Sequence, residues 1–395
     1  MTSSIGEIKI EIAKCIESQR DKLIGMSFKI HANPETGFKE KLASDLLCAY
    51  LLEQNFEVKK SIAQLPTAFK ATYGKDRPVI ALLAEYDALP AMGHACGHNI
   101  IGVTSCAAAV AARCAVDRFG GCIVVVGTPA EELVGGKINL LKGNAFQGLD
   151  AAMILHPGSR NLATVEALAC IGLDIEFHGK SAHAAGYPEL GNNALEAMIL
   201  AYNAINALRQ HIRERSRIHG VITNGGEAAN VVPDFTSASF LIRSDTREYL
   251  EELKFKVLAC FEGAAISTGT TLKFKWGEQV YHPMKNNYAL AGLFSANMES
   301  LGRKMEPLDS KYGFGSTDMG NVSQIMPAIH PSIAIAGSEV HTHTVEFCEA
   351  AVSASGNAGL IDGAKALAMT AADILARPEN LADIQEEFKR TSENV

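Results

Sequence analysis

The sequence has no excess of positive charge. Its 36 Lys and Arg are outnumbered by 44 Asp and Glu, for a formal net charge of −8. That argues against a broad nucleic-acid-binding face. It also lacks a paired cysteine framework, because its nine cysteines are odd in number and scattered from Cys15 to Cys348. This excludes a disulfide-stapled secreted scaffold and points to a reducing, cytoplasmic setting. No apolar run approaches the ~20 residues of a membrane span. Residues 1–16 alternate polar and apolar side chains without a signal-peptide core. Internal repeats and low-complexity segments are absent. What is present is a chain of 395 residues, 47% hydrophobic and 20% charged. Such a chain supports a large core and is incompatible with global disorder. At ~100–200 residues per domain, two or three domains are expected. The expectation is an acidic globular enzyme or small-molecule binder, with neither nucleic acid nor membrane as partner.

Strand and helix signals alternate through the first half. Helical spacing covers residues 5–30 and 38–55, followed by short strands at 56–59 and 68–73. Residues 79–84, Val-Ile-Ala-Leu-Leu-Ala, are short and wholly apolar, as a buried parallel strand is. A helix over 100–116, a strand over 122–126, a helix over 131–142 and a strand over 151–155 follow. The pattern predicts an α/β fold, a mostly parallel sheet with helices on both faces. From residue 169 the order becomes β-α-β-β-α-β, a ferredoxin-like unit. Its strands are expected at 170–178, 218–223, 235–243 and 271–277, and its helices at 192–212 and 247–265. A helix over 287–302, a strand over 329–335 and a long helix over 349–377 then resume the first texture. The expected division is therefore 1–168 and 282–395 for a sheet domain, with 169–281 inserted into it. The polar tail after Pro378 is expected to be a short, fraying helix.

Three buried strands each run into residues that bind metals or move protons. Glu85 and Asp87 follow the first, Glu131 and Glu132 the second, and His156 the third. In open α/β sheets, ligands sit at the carboxyl ends of strands. Between the first two lies Gly93-His94-Ala95-Cys96-Gly97-His98. A thiolate and an imidazole two positions apart can reach one metal centre, and a thiolate can bridge two. Plainer readings exist for each element alone. Cys96 could be a buried thiol beside surface histidines, and Thr128-Pro129-Ala130-Glu131 fits a helix capping box. His341 and His343 could be exposed loop residues, and His183 a solvated one. Convergence of the three strand ends favours chemistry.

The segments Ala84 to Pro90, Gly93 to Asn99, Thr128 to Glu132, His156-Pro157 and His178 to Ala184 resemble, in that order, the metallopeptidase family 20 amidohydrolases. The wording around Glu85-Tyr86-Asp87 and Cys96-Gly97-His98 is most similar to the branch holding β-alanyl-lysine (Xaa-Arg) dipeptidases, near the p-aminobenzoyl-glutamate hydrolases. The resemblance implies a zinc-peptidase-like catalytic domain with an inserted lid and dimerisation domain. It implies two divalent ions, Zn²⁺ or Mn²⁺, held by Cys96, His98, Glu132, His156 and His343. His343 is chosen over His341 because an aromatic, Phe347, follows it by four. Glu131 matches the catalytic base, Asp87 the acid supporting the ligands, and His183 a histidine that contacts the reacting group, often from a partner subunit. Asn230 and Arg243 sit where the family binds a substrate carboxylate. Asn99 stands where many relatives have Asp.

The implied function is metal-dependent hydrolysis of the amide of a dipeptide or N-acyl amino acid by a homodimer, with a basic C-terminal residue implied by the branch resemblance. A p-aminobenzoyl-glutamate hydrolase is the neighbouring alternative. A metal-free hydrolase using Cys96 as nucleophile leaves Glu132 and His156 unexplained. A catalytically inactive binding or regulatory protein on the same fold leaves the full ligand set unexplained.

Overall fold

The computed structural model describes residues 4–308 and 315–393. In chain order its strands are β1 (Glu57–Lys60), β2 (Phe69–Gly74), β3 (Val79–Ala84), β4 (Cys122–Gly127), β5 (Ala151–Met153), β6 (His156–Gly158), β7 (Ala169–His178), β8 (Arg217–Asn224), β9 (Phe235–Ser244), β10 (Thr271–Trp276), β11 (Ala328–Ile329) and β12 (Ser332–Ala334). The chain divides into two compact units. One comprises Met1–Glu166, Met284–Gly313 and Asp318–Val395, and the other Ala167–Pro283 with Phe314–Thr317.

The first unit holds a six-stranded sheet in the order β1-β2-β4-β3-β5-β11. From β4 through β3 and β5 to β11 it is parallel, while β1 and β2 add an antiparallel edge. Its central strands are apolar throughout because both faces are covered. Alternation sorts β3 between two cores. Ile80, Leu82 and Ala84 pack with Val103 of helix His98–Phe119 and Leu367 of helix Ala354–Ala376. Ala81 and Leu83 pack on the other side with Leu140 and Val322. Helix His98–Phe119 is long and apolar enough to cross a membrane, contrary to the expectation that nothing approaches that length. It is the central core helix, with 89% of its most apolar stretch buried.

The second unit is a four-stranded antiparallel sheet in the order β10-β7-β9-β8. Along β7, Ile171, Leu173, Ile175 and Phe177 point into a core shared with helices Ala194–Leu208 and Arg247–Thr268, while Asp174 is exposed. The chain order is β-α-β-β-α-β. Strand β8 lies at one edge, with Val221 and Ile222 exposed.

Five elements differ from the sequence reading. Helix 5–30 breaks at Gln19, and helix 131–142 breaks at Gly135, whose φ is 64°. Helix 349–377 becomes Val345–Ala350 and Ala354–Ala376, because Ser353 caps the second by accepting a hydrogen bond from the Gly356 N–H. Strand 329–335 divides at His330-Pro331 into β11 and β12, and β12 pairs with β6 rather than joining the main sheet. The C-terminal segment forms a helix, Pro378–Glu393, longer than expected. It is docked: Ile384 is fully buried, and Glu387 accepts from the backbone N–H groups of Tyr288 and Ala289.

Candidate metal centre

The site is assembled at the carboxyl ends of β3 and β4 and around β6. The loop between β3 and helix His98–Phe119 turns at Gly97, with φ 77°; a Cβ there would meet the Pro157 ring at 2.4 Å. Glycine thus lets Cys96 and His98 approach the segment that carries His156. Cys96 Sγ lies 3.4 Å from His156 Nε2. The His98 and His156 rings meet edge to face, with centroids 5.7 Å apart.

Each imidazole is oriented from behind. His98 Nδ1 pairs with Asp87 Oδ1 at 2.9 Å, and His156 Nδ1 donates to the Pro157 carbonyl at 2.6 Å. Both Nε2 atoms are left for the cluster, the arrangement of a histidine prepared as a metal ligand.

After β4 the chain does not form the capping box that the sequence suggests. Thr128 Oγ1 donates to the Ala84 carbonyl, and Ala130 takes a left-handed conformation, φ 60°. The Ala130 N–H is held by Glu40 Oε1 at 2.9 Å. The next two side chains share a group with His98, but Glu132 also groups with Cys96 and His343, and Glu131 with Glu85 and Asp318. Glu132 Oε1 lies 3.5 Å from His343 Nε2 and 3.7 Å from His98 Nε2. His343, with φ 65°, is fixed by its N–H donating to the Ala95 carbonyl.

The cluster fits a pair of metal ions. Donor atoms of Cys96, His98 and His156 lie within 4.8 Å of one another, as do those of Cys96, Glu132 and His343. Glu85 Oε2, His98 Nε2 and Glu132 Oε1 are buried with no hydrogen-bond partner among the described residues. Buried polar atoms are ordinarily satisfied, so convergent orphans mark a place for a cation. His341 joins no such group among the described residues, and its carbonyl accepts from Thr344.

Electrostatics separate the adjacent glutamates. Burial acts against ionisation of Glu132, but the nearby imidazole of His343 and the His98 charge hold its carboxyl at about 2. Glu131 is pushed well above the usual carboxylate range by burial and by Glu85 and Asp318. Burial opposes protonation of His98, yet Asp87 raises it. Adjacent carboxyls with opposite shifts are suited to different chemistry, one to holding a cation and one to carrying a proton. Burial raises the Cys96 thiol, which disfavours it as a metal-free nucleophile.

In the inserted unit, His183 and Asn230 lie on paired segments, with the Ala184 N–H donating to the Asn230 carbonyl at 3.0 Å. His183 Nδ1 accepts from the N–H groups of Ala185 and Gly186, which puts the ring proton on Nε2 as a donor. Arg243, on β9, donates to Ser316 Oγ at 2.7 Å and approaches His219 Nε2 at 3.4 Å. Asn99 is wholly buried, and its amide donates to Ser27 Oγ. In this chain its amide acts as a packing bond between helices.

Three neighbours of the site escaped the sequence reading: Lys137, Asp318 and His330. Lys137 is fully buried between Glu85 and Asp318. The His330 ring lies 5.5 Å from that of His156. Only His330 carried a signal, an imidazole inside the apolar strand expected over 329–335.

A family model described as the peptidase dimerisation domain of the M20 peptidases matches residues 169–268. The human Xaa-Arg dipeptidase is 36% identical over 407 residues, covering 98% of this chain and 93% of the relative. The chain belongs to the M20 peptidase family. One chain of the p-aminobenzoyl-glutamate hydrolase of Escherichia coli is 34% identical over 291 residues, 68% of this chain and 60% of that protein. Among solved structures, the YXEP protein of Bacillus subtilis, described as a dinuclear metal-binding M20 peptidase, superposes with a TM-score of 0.70 at 20% identity. That match covers 91% of this chain and 99% of the other. As an M20 family member, this chain is a metal-dependent amide hydrolase, and the inactive-protein reading is set aside.

Proposed function

We propose that this chain is a dinuclear dipeptidase that cleaves the amide preceding a basic C-terminal residue. The observation that carries it is the pair Glu131 and Glu132: both lie beside His98, while Glu132 also groups with Cys96 and His343 and Glu131 with the carboxylates of Glu85 and Asp318. The preference for a basic residue rests on the similarity to the human Xaa-Arg dipeptidase. Cys96, His98, Glu132, His156 and His343 would hold the ions, Zn²⁺ favoured by thiolate and imidazole and Mn²⁺ admitted by carboxylate. Bound there, the ions supply Lewis-acid polarisation of the amide carbonyl and acidify water. Glu131 takes the proton of the attacking water and returns one to the leaving amine, a role typically worth 10²–10⁴-fold in rate. The Nε2–H of His183 donates to the developing oxyanion. Asn230 and Arg243 take the substrate carboxylate, so a C-terminal amide is a poor substrate.

The exposed edge strand β8 and the dimerisation-domain match support a homodimer. The nine free cysteines fit a cytoplasmic setting. The test is a mass-spectrometric screen of dipeptides and N-acyl amino acids with protein loaded separately with Zn²⁺ and Mn²⁺. Faster cleavage of dipeptides ending in Arg, Lys or Orn than of those ending in Asp or Glu supports the proposal. Preference for p-aminobenzoyl-glutamate would move the chain to the neighbouring function, which the partial match to that hydrolase favours. Activity that survives complete chelation would overturn the metal-dependent reading.

A further inference from the structure

Lys137 is fully buried, and its Nζ donates to Glu85 Oε1 at 2.5 Å and to Asp318 Oδ1 at 2.6 Å. Its backbone N–H donates to the other Asp318 oxygen at 2.8 Å. Glu85, Asp318 and Glu131 offer oxygens within 4.8 Å of one another, the spacing of a carboxylate cage for a cation. This trio adjoins the metal centre. Glu85 Oε2, buried without a hydrogen-bond partner among the described residues, lies 3.5 Å from His98 Nε2. Glu131 belongs both to the trio and to a group with His98 and Glu132.

Three carboxylates beside two divalent-ion sites invite a third ion. Such an ion would draw Glu131 into coordination and take away the lone pair that it needs as a base. An ammonium tethered to the chain already occupies two corners of the trio. It cannot diffuse away, and its three donors are directed to oxygen acceptors. The dinuclear reading accounts for Glu131 but gives no reason for a wholly buried lysine six residues further on.

We infer that Lys137 is a built-in cation that keeps metal out of the Glu85–Glu131–Asp318 trio, so that Glu131 serves as a base and not as a ligand. Lys137 is in this sense a positioning residue. The inference rests on the dinuclear reading above.

The test is metal content per chain by elemental analysis across graded Zn²⁺ and Mn²⁺, with circular dichroism as the check on folding. Wild type should saturate at two ions. Lys137→Met should take up a third, and kcat should fall about 10-fold or more with KM little changed. Lys137→Gln/Asp318→Asn preserves the local net charge and guards against misfolding of the single variant. With one carboxylate fewer, it should take up the extra ion only at higher metal concentration. A folded Lys137→Met that stops at two ions would overturn the inference. So would a double variant that stops at two at every concentration, or a wild type that binds three. A wild type that binds no metal would instead sink the dinuclear reading itself.

Discussion

Asp87 serves two candidate ligands with one carboxylate. Its Oδ1 pairs with His98 Nδ1 at 2.9 Å, and its Oδ2 accepts the Glu132 backbone N–H at 3.0 Å. A side chain from the end of β3 thereby sets the tautomer of one donor and the backbone position of another, which follows β4. The two strand ends are locked in register before any ion arrives.

Replacing Asp87 by Asn therefore damages both connections. The amide nitrogen cannot accept the Glu132 N–H, or, if the group rotates, cannot accept from His98 Nδ1. Loss of such a partner typically costs 10–100-fold in metal affinity or activity. Competition with a chromophoric chelator should show metal affinity reduced within that range and an unchanged circular dichroism spectrum. Unchanged affinity would show that the ligands are held without Asp87.

Glu131 and Glu132 are neighbours with different proposed duties, and two amide substitutions separate them. Glu131→Gln should retain both ions and lose roughly 10²-fold or more in kcat. Glu132→Gln should lose metal first, with activity partly recovered at high Zn²⁺ or Mn²⁺. Metal content and kcat measured on the same preparations decide it. Near-normal turnover in Glu131→Gln would remove it from the role of base.

The architecture was legible because its central strands are extreme. A run such as Val79 to Ala84 has no polar residue to face water, so it must be covered on both sides. Cys96, His98, Glu132 and His156 stood out because each follows such a strand or opens a helix, whereas His343 was told from His341 only through the family resemblance. Where the chain bends was harder to read. The breaks at Gln19 and Ser353 interrupt helical periodicity without proline, and a serine inside an apolar pattern reads equally as interior or cap. Lys137 and Asp318 gave no signal at all. They are 181 positions apart, and a lysine reads as solvated until its partners are seen. Glu40 stayed hidden for the same reason, meeting Ala130 across 90 positions.

The proposed role of His183, with the proposed homodimer, gives a complementation test. Glu131→Gln and His183→Ala proteins should each be nearly inactive. If His183 serves the partner's site, a mixed dimer carries both defects in one site and none in the other. With equal amounts and random exchange, half the dimers are mixed, so about a quarter of sites are intact. Activity should recover toward that fraction after exchange is shown by mass spectrometry. No recovery would place His183 in its own chain's reaction or outside catalysis.

Glu40 makes the last prediction, one of pH and stability. It is wholly buried; Oε1 accepts from the N–H groups of Phe38 and Ala130, and Oε2 pairs with Thr67 Oγ1. Burial, outweighing these hydrogen bonds, raises its carboxyl from 4.5 to about 7. Between those values the folded state holds a proton that the unfolded chain releases. Its contribution to stability is therefore complete below pH ~4.5 and is lost as pH rises through ~7. A shift of this size is worth about 3 kcal/mol at most. Glu40→Gln reproduces the protonated form: its oxygen accepts the two N–H groups and its amide donates to Thr67. Urea unfolding at fixed metal loading should show the variant gaining on wild type from pH 5 to pH 8, with the gap constant above that. Parallel stability curves across this range would mean that Glu40 is ionised in the fold at every pH tested.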